Sequence, residues 1–423
     1  MIRPSSVSLV VGLPGDAQSA RQLGELNKKT GASTGEELPL INGYTVEVPQ
    51  DQLDSYLASL PENSTVMLNQ PFAQVPPPPP LPPDRRRSQM DADAEEGAQG
   101  QTEASRPPMP QPGPTHPLGW EQVRAEGLDG AGVTIAVIDS GLAPHPDFGD
   151  RIKAFKNFSW QGTSKAHDDY GHGTHVAGIA AGDGPEIDGV APGANLVGAR
   201  ITNPQEAIKA IDWVIAHKDE YNINVLNLSL GSQAILPGHS DPFAQAAQKA
   251  IDAGILTVVA AGNESKNGTV AGSISTPGIL ADAITVGAYH NGHTDALDDD
   301  RMWGDSSLGP THPDGLAKPD LVAPGSHVVS VSASGSDLSK SNPAWGPYHL
   351  DSGTSMAAPM VGGALAIMLQ VNGQLTQKAA KEILQSTAVP FEDVSPMAQG
   401  SGRMNLAAAV EAARRWTPDT QSA

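Results

Sequence analysis

Short apolar runs alternate with amphipathic stretches between residues 133 and 288. A continuous apolar run is typical of a strand that is buried on both faces of a sheet. Strands that alternate with helices predict an α/β fold, a doubly wound and mostly parallel sheet flanked by helices. The predicted strands are residues 133–138, 195–199, 225–230, 255–260 and 283–288, and the predicted helices are residues 173–181, 205–217 and 242–253.

The first 74 residues carry a second pattern, in which strand-like and helix-like segments follow one another more closely. The Asn42-Gly43 pair predicts a hairpin turn inside one of the strand-like segments. The order of the segments predicts a small α+β domain, a split β-α-β arrangement of the ferredoxin-like kind. The predicted strands are residues 6–13, 38–48 and 65–69, and the predicted helices are residues 16–30 and 50–60.

A proline-rich stretch separates the two patterns. Residues 76–83 favour extended polyproline, and the polar run that follows lacks the apolar residues needed to fold. Its basic run, Arg85-Arg86-Arg87, indicates a solvated segment or a site where another protease cuts. We therefore predict four parts: residues 1–74, a linker at 75–117, a large domain at 118–416 and a tail at 417–423.

The composition limits the function classes. The chain has 423 residues, of which 39% are hydrophobic but only 4% aromatic, so aliphatic side chains must build the core. A net charge of -21 argues against nucleic-acid binding, which needs clustered Lys and Arg. The absence of cysteine excludes disulfides and thiolate metal sites. No apolar stretch reaches about 18 residues, so we expect no transmembrane helix.

Three short segments carry the groups of a nucleophilic enzyme. VIDSG at 137–141 ends a predicted strand with a carboxylate, HGTHVAG at 172–178 opens a helix with an imidazole, and GTSMAAP at 353–359 opens another with a hydroxyl. Ser, His and Asp form the same catalytic geometry on unrelated folds, which differ in chain order. The order Asp, His, Ser and the residues around each member resemble the subtilisin-like serine proteases, or subtilases, over residues 119–415.

This resemblance implies a role for each of the three groups. Asp139 would orient the imidazole and stabilise its charged form, His172 would act as the general base, and Ser355 would attack the substrate carbonyl. His175 is the alternative base, but it lies three positions further into the helix. We therefore interpret His175, and likewise His145, as structural.

Two further segments resemble parts of the family's substrate site. Asn263, within AAGNE at 260–264, resembles the asparagine that donates to the oxyanion, together with the backbone N–H of Ser355. NLSLG at 227–231 resembles the segment whose backbone pairs with extended substrate. No acidic cluster lies around these segments, so we expect broad specificity with an apolar or aromatic residue before the scissile bond. The predicted substrate-binding residues are Ser229, Leu230, Gly231, Ala261 and Gly262.

The chemistry needs no cofactor, but the family resemblance raises the question of whether the fold binds a structural calcium ion. Asp147 matches the family's calcium-ligand aspartate, whereas residues 181–189 are about two residues short where a calcium loop often lies. Calcium at Asp147 is therefore an expectation without a full ligand set. The acidic run at 298–300 is interpreted as a solvated loop rather than a metal site.

We conclude from the sequence that the chain is a serine endopeptidase made as a zymogen. Residues 1–74, and GYTVEV at 43–48 above all, resemble the inhibitory propeptide that subtilases carry, which implies self-cleavage near residues 72–76 or further along the linker. The expected partners are protein and peptide substrates and this N-terminal domain, with no nucleic acid and no membrane, in a monomer. A self-cleaved, permanently inhibited binding protein is the alternative, and an esterase or peptide ligase is a second.

The sequence also leaves the location open. Residues 7–13 form an apolar run that is too short for a convincing signal peptide. Secretion is the expectation, and a cytoplasmic location is the alternative.

Overall fold

The computed structural model describes residues 6–72, 116–159, 163–294, 296–341 and 346–418. Almost all of the predicted linker, most of the predicted tail and the arginine run lie outside the described residues. The predicted self-cleavage segment is described only as far as Phe72.

The N-terminal unit is a four-stranded antiparallel sheet with the order β2-β3-β1-β4. This is the split β-α-β arrangement that the sequence predicts. Helix α1 begins after Asp16, whose carboxylate accepts from the backbone N–H of Ser19, and ends at Gly31 in the left-handed conformation. The elements are β1 (Ser6–Gly12), α1 (Ala17–Thr30), β2 (Ser33–Leu38), β3 (Gly43–Pro49), α2 (Leu53–Leu57) and β4 (Thr65–Leu68).

The larger region is built on a mostly parallel sheet, as the alternating pattern predicts, and five of its eight strands were predicted. Seven of its strands follow the order β11-β10-β9-β8-β5-β7-β6, and β12 pairs with β10. Every pairing is parallel except that of β10 with β11. The strands are β5 (Thr134–Asp139), β6 (Ile152–Asn157), β7 (Asn195–Arg200), β8 (Ile223–Leu228), β9 (Leu256–Ala260), β10 (Ile284–His290), β11 (Arg301–Met302) and β12 (Leu321–Pro324).

Helices cover both faces of this sheet, so the fold is doubly wound. One face packs on α4, α8 and α11, and the other on α5 and α6. A separate antiparallel ribbon, β13 (Val328–Val331) with β14 (Tyr348–Asp351), leads into α8. The helices are α3 (Trp120–Ala125), α4 (His172–Ala181), α5 (Pro204–Ala216), α6 (Pro242–Asp252), α7 (Asp337–Ser341), α8 (Thr354–Val371), α9 (Gln377–Thr387), α10 (Pro396–Gln399) and α11 (Leu406–Arg415).

Helix α8 runs through the centre of the core. Among the described residues it alone has the length and apolar composition to cross a membrane, and 83% of it is buried inside the protein. Its small residues let it pack closely: a Cβ at Gly363 would lie 2.7 Å from the Cβ of Val190. Its apolar character is thus explained by burial beside the sheet.

Several elements differ from the sequence-based predictions. The predicted helix at 50–60 is only five residues long, because residues 50–52 form a 3₁₀ turn and the helix ends at Leu57. Strand β8 ends at Leu228, so Ser229 and Leu230 lie beyond it. The edge strand β6 was not predicted, since its two lysines and partial exposure break the apolar pattern.

Candidate active site

The three predicted catalytic groups come together at one end of the parallel sheet. Asp139 is the last residue of β5, His172 is the first residue of α4, and Ser355 lies in the first turn of α8. All three line one cavity at the carboxyl ends of the strands. This is the edge at which open α/β sheets hold their ligands.

Asp139 and His172 form a short, buried hydrogen bond. Nδ1 of His172 lies 2.7 Å from Oδ1 of Asp139, and the carboxylate is 3% exposed. Burial disfavours the charged imidazole, but the charge and hydrogen bond of Asp139, helped by Asp351 and Asp168, raise the pKa of His172 to about 9. Since a carboxylate can only accept, the proton of this bond belongs to Nδ1, which leaves Nε2 available as a base when the ring is neutral.

The hydroxyl of Ser355 faces the same cavity but bonds elsewhere in this state. Its Oγ donates to the backbone oxygen of Ser229 at 3.0 Å, while the hydroxyl of Ser229 donates to the backbone oxygen of Ser355 at 2.9 Å. The hydroxyl must therefore turn away from the Ser229 oxygen before Nε2 of His172 can take its proton. Catalytic hydrogen bonds are often loose before substrate binds.

Asn263 is held so that its amide can donate into the cavity. Its Oδ1 accepts from the backbone N–H of Thr354 at 3.0 Å and from the Thr354 hydroxyl at 2.9 Å. A backbone N–H requires an acceptor, which fixes the orientation of the amide and leaves Nδ2 as the free donor. The N–H of Ser355 is among the first amides of α8, which have no partner within the helix. These two donors make an oxyanion hole possible here.

The predicted substrate-binding residues are brought together with one exception. Ser229, Leu230, Gly231 and Gly262 line the cavity. Ala261 does not, because it is fully buried and its backbone bonds to Val286 and Ser275.

Ser275 is a cavity residue that the sequence analysis missed. A Cβ added to Gly262 would lie 2.3 Å from its Oγ, and one added to Gly231 would lie 2.9 Å from its Cβ. The Ser275 side chain thus fills the space between two glycines and narrows the pocket. It follows a loop far along the chain, and no local signal could have placed it there.

Asp168 ties together the segments that carry Asp139 and His172, and sequence reasoning also missed it. One carboxylate oxygen accepts from the Ser140 hydroxyl at 2.9 Å and from the N–H of Gly171 at 2.8 Å. The other accepts from the N–H and the hydroxyl of Thr174 at 2.9 and 2.8 Å. An acid just before a helix is a capping signal, which could have indicated the bonds of Asp168 to Thr174 but not its bond to Ser140.

The N-terminal unit reaches into the cavity of the predicted catalytic groups. Pro71 and Phe72 line it, and the backbone N–H of Phe72 donates to the oxygen of Thr202 at 3.0 Å. Nearby, Oδ1 of Asn69 accepts from the N–H of Gln205 at 3.2 Å, in the first turn of α5. The last described residues of the N-terminal unit therefore lie in the cleft.

The remaining predicted histidines lie outside the cleft. His175 is fully buried beside His349, with ring centroids 4.4 Å apart, and burial lowers its pKa well below the usual value. His145 lies against Asp147, with 3.3 Å between its Nδ1 and the carboxylate Oδ1. Both positions agree with a structural role.

The surroundings of Asp147 do not form a calcium site as they stand. The guanidinium of Arg151 donates to the backbone oxygens of Ala181, Ala194 and Asp147, at 2.6, 2.9 and 2.5 Å. Carbonyl oxygens are the ligands that calcium would need, and here a fixed cation already binds them. Within the described ranges, no three histidine, cysteine or acidic side chains are arranged to hold a metal ion.

Comparison with known proteins identifies the family of the chain. Residues 130–407 match the subtilase family. Serine protease AprX of Bacillus subtilis (strain 168) is 38% identical over 296 residues, which is 66% of this chain and 66% of that protein. An intracellular serine protease of Paenibacillus polymyxa is 33% identical over 319 residues, 72% of this chain and 86% of that protein.

Solved structures show the same fold. Fervidolysin from Fervidobacterium pennivorans, a keratinolytic enzyme related to subtilisin, superposes with a TM-score of 0.66 at 23% identity, over 96% of this chain and 61% of its own. A cold-adapted subtilisin-like serine proteinase gives a TM-score of 0.50 at 31% identity, over 66% of this chain and 88% of its own. The chain therefore belongs to the subtilase family and, with it, to the serine endopeptidases, a class of hydrolases.

Proposed function

We propose that this chain hydrolyses peptide bonds in proteins through Ser355, His172 and Asp139, and that it is made as a self-processed zymogen. The observation that carries the proposal is the shared cavity, in which the buried Asp139–His172 bond, the Ser355 hydroxyl and the chain at Phe72 meet. Ser355 Oγ attacks the carbonyl carbon while Nε2 of His172 takes its proton. The same proton then passes to the leaving amine, and water hydrolyses the acyl-enzyme.

Two donors stabilise the charge that develops on the carbonyl oxygen. Nδ2 of Asn263 and the N–H of Ser355 are these donors, and Thr354 holds the asparagine amide in place. Such preorganised donors are worth most where water is excluded. Asp168 acts as a positioning residue, because it joins the loop after Asp139 to the helix that begins at His172.

The substrate binds as an extended strand along Ser229–Gly231, with the side chain before the scissile bond in the pocket at Gly262. Leu230 supplies an apolar wall and Ser275 a small polar floor, while Glu264 is the one acid in the described cavity lining besides Asp139, which bonds to His172. One acid is too little charge to select basic side chains strongly. We therefore keep the expectation of broad specificity with an apolar preference.

The N-terminal unit inhibits the enzyme until it is removed. Its apolar residues Val10, Leu38, Ile41 and Met67 are buried in one cluster with side chains of α5 and α6. Its last described residue, Phe72, is bonded to Thr202 at the edge of the cavity. A segment held in this way blocks substrate, and self-cleavage near residues 72–76 or further along the linker would remove it.

Structural calcium at Asp147 is not part of the proposal. Arg151 already binds the carbonyl oxygens around this carboxylate, as described above. Subtilases need no cofactor for catalysis, and no step of the mechanism uses a metal. The family is compatible with either location, since one relative is named as an intracellular protease and others are named subtilisins.

The test compares the wild type with Ser355→Ala by intact mass and by digestion of casein. We expect the wild type to lose its N-terminal unit and digest casein, whereas the variant stays full-length and loses about 10⁶-fold in turnover. Self-removal of the N-terminal unit by the pure variant would contradict self-processing. An untrimmed and inactive wild type would favour the alternative, a permanently inhibited binding protein.

A further inference from the structure

A buried arginine stands beside the catalytic carboxylate, and the mechanism proposed above does not use it. Arg200 ends β7 and lies opposite Asp139 in the parallel pairing of β5 with β7. The backbone N–H of Ile201 donates to the oxygen of Asp139 at 2.8 Å, so the two strand ends are joined directly. The Arg200 side chain is 8% exposed, and it lines the cavity that holds the three predicted catalytic groups.

The guanidinium of Arg200 joins two segments that flank the catalytic groups. Its Nη1 donates to the backbone oxygen of Ser140 at 2.9 Å, and Ser140 directly follows Asp139. Its Nη2 lies 3.1 Å from the carboxylate of Asp169, which precedes His172 by three residues. A planar guanidinium can hold two partners in fixed directions, which a single ammonium group cannot do.

The residue that Arg200 holds in turn orients the Asp139 carboxylate. The backbone N–H of Ser140 donates to Oδ1 of Asp139 at 2.6 Å, and this oxygen also accepts from Nδ1 of His172. The other oxygen, Oδ2, is buried and accepts no hydrogen bond from the described residues. The carboxylate is therefore held at one oxygen only, and its orientation depends on where the Ser140 backbone lies.

Stability alone does not explain a guanidinium at this place. A buried charge loses its hydration, and its replacement by a well-packed apolar side chain is often neutral or stabilising. The acidic partner of Arg200, Asp169, is 69% exposed, so their ion pair is screened by solvent and contributes little. The remaining gain is geometric, because the guanidinium gives the Ser140 backbone a fixed position.

We propose that Arg200 is a positioning residue, which holds the Ser140 backbone so that the Asp139 carboxylate keeps its bond to His172. The proposal rests on the mechanism proposed above, in which that bond fixes the tautomer of the imidazole. Among the described contacts, Arg200 bonds to none of the three catalytic side chains, so it acts through Ser140. Asp168 holds the hydroxyl of Ser140, whereas Arg200 holds its carbonyl oxygen.

The first experiment compares the turnover of Arg200→Gln with that of the wild type, after intact mass has shown that both are processed. Loss of the guanidinium lets the Ser140 backbone move, so kcat should fall about 10- to 100-fold with little change in KM. Arg200→Lys keeps the charge and one donor, so its kcat should lie between those of the wild type and Arg200→Gln.

The pH profile of kcat/KM separates positioning from electrostatics. A weaker bond to Asp139 lowers the pKa of His172, so the midpoint of Arg200→Gln should move from near pH 9 toward neutral. Loss of a positive charge alone would move the midpoint the other way, because it favours the imidazolium. The other titratable groups near this imidazole are unchanged in the variant: Asp168, Tyr170, His175, His349 and Asp351.

A readout without turnover keeps this proposal separate from the protease function. In the full-length Ser355→Ala protein, the Nδ1–H of His172 should give a downfield proton resonance, assigned by its loss in His172→Ala. Adding Arg200→Gln should move this resonance upfield or broaden it by exchange with water. An inactive wild type would count against the proposed function, and the resonance would still decide whether Arg200 supports the Asp139–His172 bond.

Arg151→Gln is the matched control, because Arg151 is a partly buried arginine that donates to a backbone oxygen at the opposite end of α4. It should lower the melting temperature and leave kcat, the pH midpoint and the resonance unchanged. The proposal is overturned if Arg200→Gln, folded by near-ultraviolet circular dichroism, keeps or raises the midpoint and keeps the resonance. Equal changes in Arg151→Gln would overturn it as well. Should Arg200→Gln not fold, wild-type values for all three readouts in Arg200→Lys would refute the proposal.

Discussion

The N-terminal unit and the catalytic region bury their sheets in different ways. The catalytic sheet has helices of its own region on both faces. The N-terminal sheet buries Leu9 and Val11 against its own helices, but Val10, between them, packs in the cluster with α5 and α6. Because side chains alternate along a strand, one face of this sheet is completed only by the other region. The small unit is thus built to dock, whereas the large one can hold its site alone.

The difference also shows what holds the two regions together. Fully burying an aliphatic side chain is worth about 1.5–3 kcal/mol, and four such residues lie in the shared cluster. The ion pair between Glu36 and Lys209 has side chains 49% and 33% exposed, so it contributes at most about 1 kcal/mol. The apolar face, rather than the charges, therefore decides the docking.

Among changes that leave the nucleophile in place, Asp139→Asn should damage the catalytic region most. The amide keeps the shape of the carboxylate but favours the wrong tautomer of His172, so turnover should fall about 10⁴-fold. Docking of the N-terminal unit should be unchanged, because the shared cluster lies on α5 and α6. Steady-state kinetics on processed enzyme measures the loss. A loss below tenfold would contradict the assigned role.

A second change in the catalytic region has a smaller effect. Asn263→Ala should lower kcat by about 10²–10³-fold with little change in KM, because the amide donates to charge that appears only in the transition state. Thr354→Val removes one of the two bonds that hold the amide and should cost less. An equal loss for the two variants, or a loss confined to KM, would argue against the oxyanion role.

These catalytic groups could be predicted from the sequence because each stands in a local motif at the end of an element. The bridge through Asp168 could not, since it joins Ser140 to Thr174 by contacts that only the fold creates. Ser275 escaped prediction for the same reason. Residues 6–13 were predicted as a strand, but nothing in that segment indicated that Val10 would face another region.

The docking surface itself is tested by Ile41→Asp. Ile41 is 6% exposed and packs in the shared cluster, so a charge there should weaken inhibition by residues 1–74 about 100-fold. Lys209→Ala, which removes the ion pair with Glu36, should change the inhibition by residues 1–74 less than tenfold. The inhibition constant of the N-terminal domain added to processed enzyme measures both. A larger effect from Lys209→Ala would reverse the ranking of apolar and charged contacts.

The smallest predicted effect is a shift in the pH dependence of activity, and it comes from the carboxylates near His172. A general base must be neutral, and Asp139 raises the pKa of His172 to about 9 against the effect of burial. Activity should therefore rise with pH and reach half its maximum near pH 9, with the low-pH side limited by protonated imidazole. Burial raises the pKa of Asp351 to about 6, so this carboxylate is charged over that range and favours the imidazolium.

Asp351→Asn removes that charge and should move the midpoint toward neutral pH by about one unit or less. Asp337→Asn is the control, because its side chain is 68% exposed and screened by solvent. The pH profile of kcat/KM on processed enzyme measures both shifts. A wild-type midpoint near pH 7, or equal shifts in the two variants, would mean that the buried carboxylates of the catalytic region do not set the working pH.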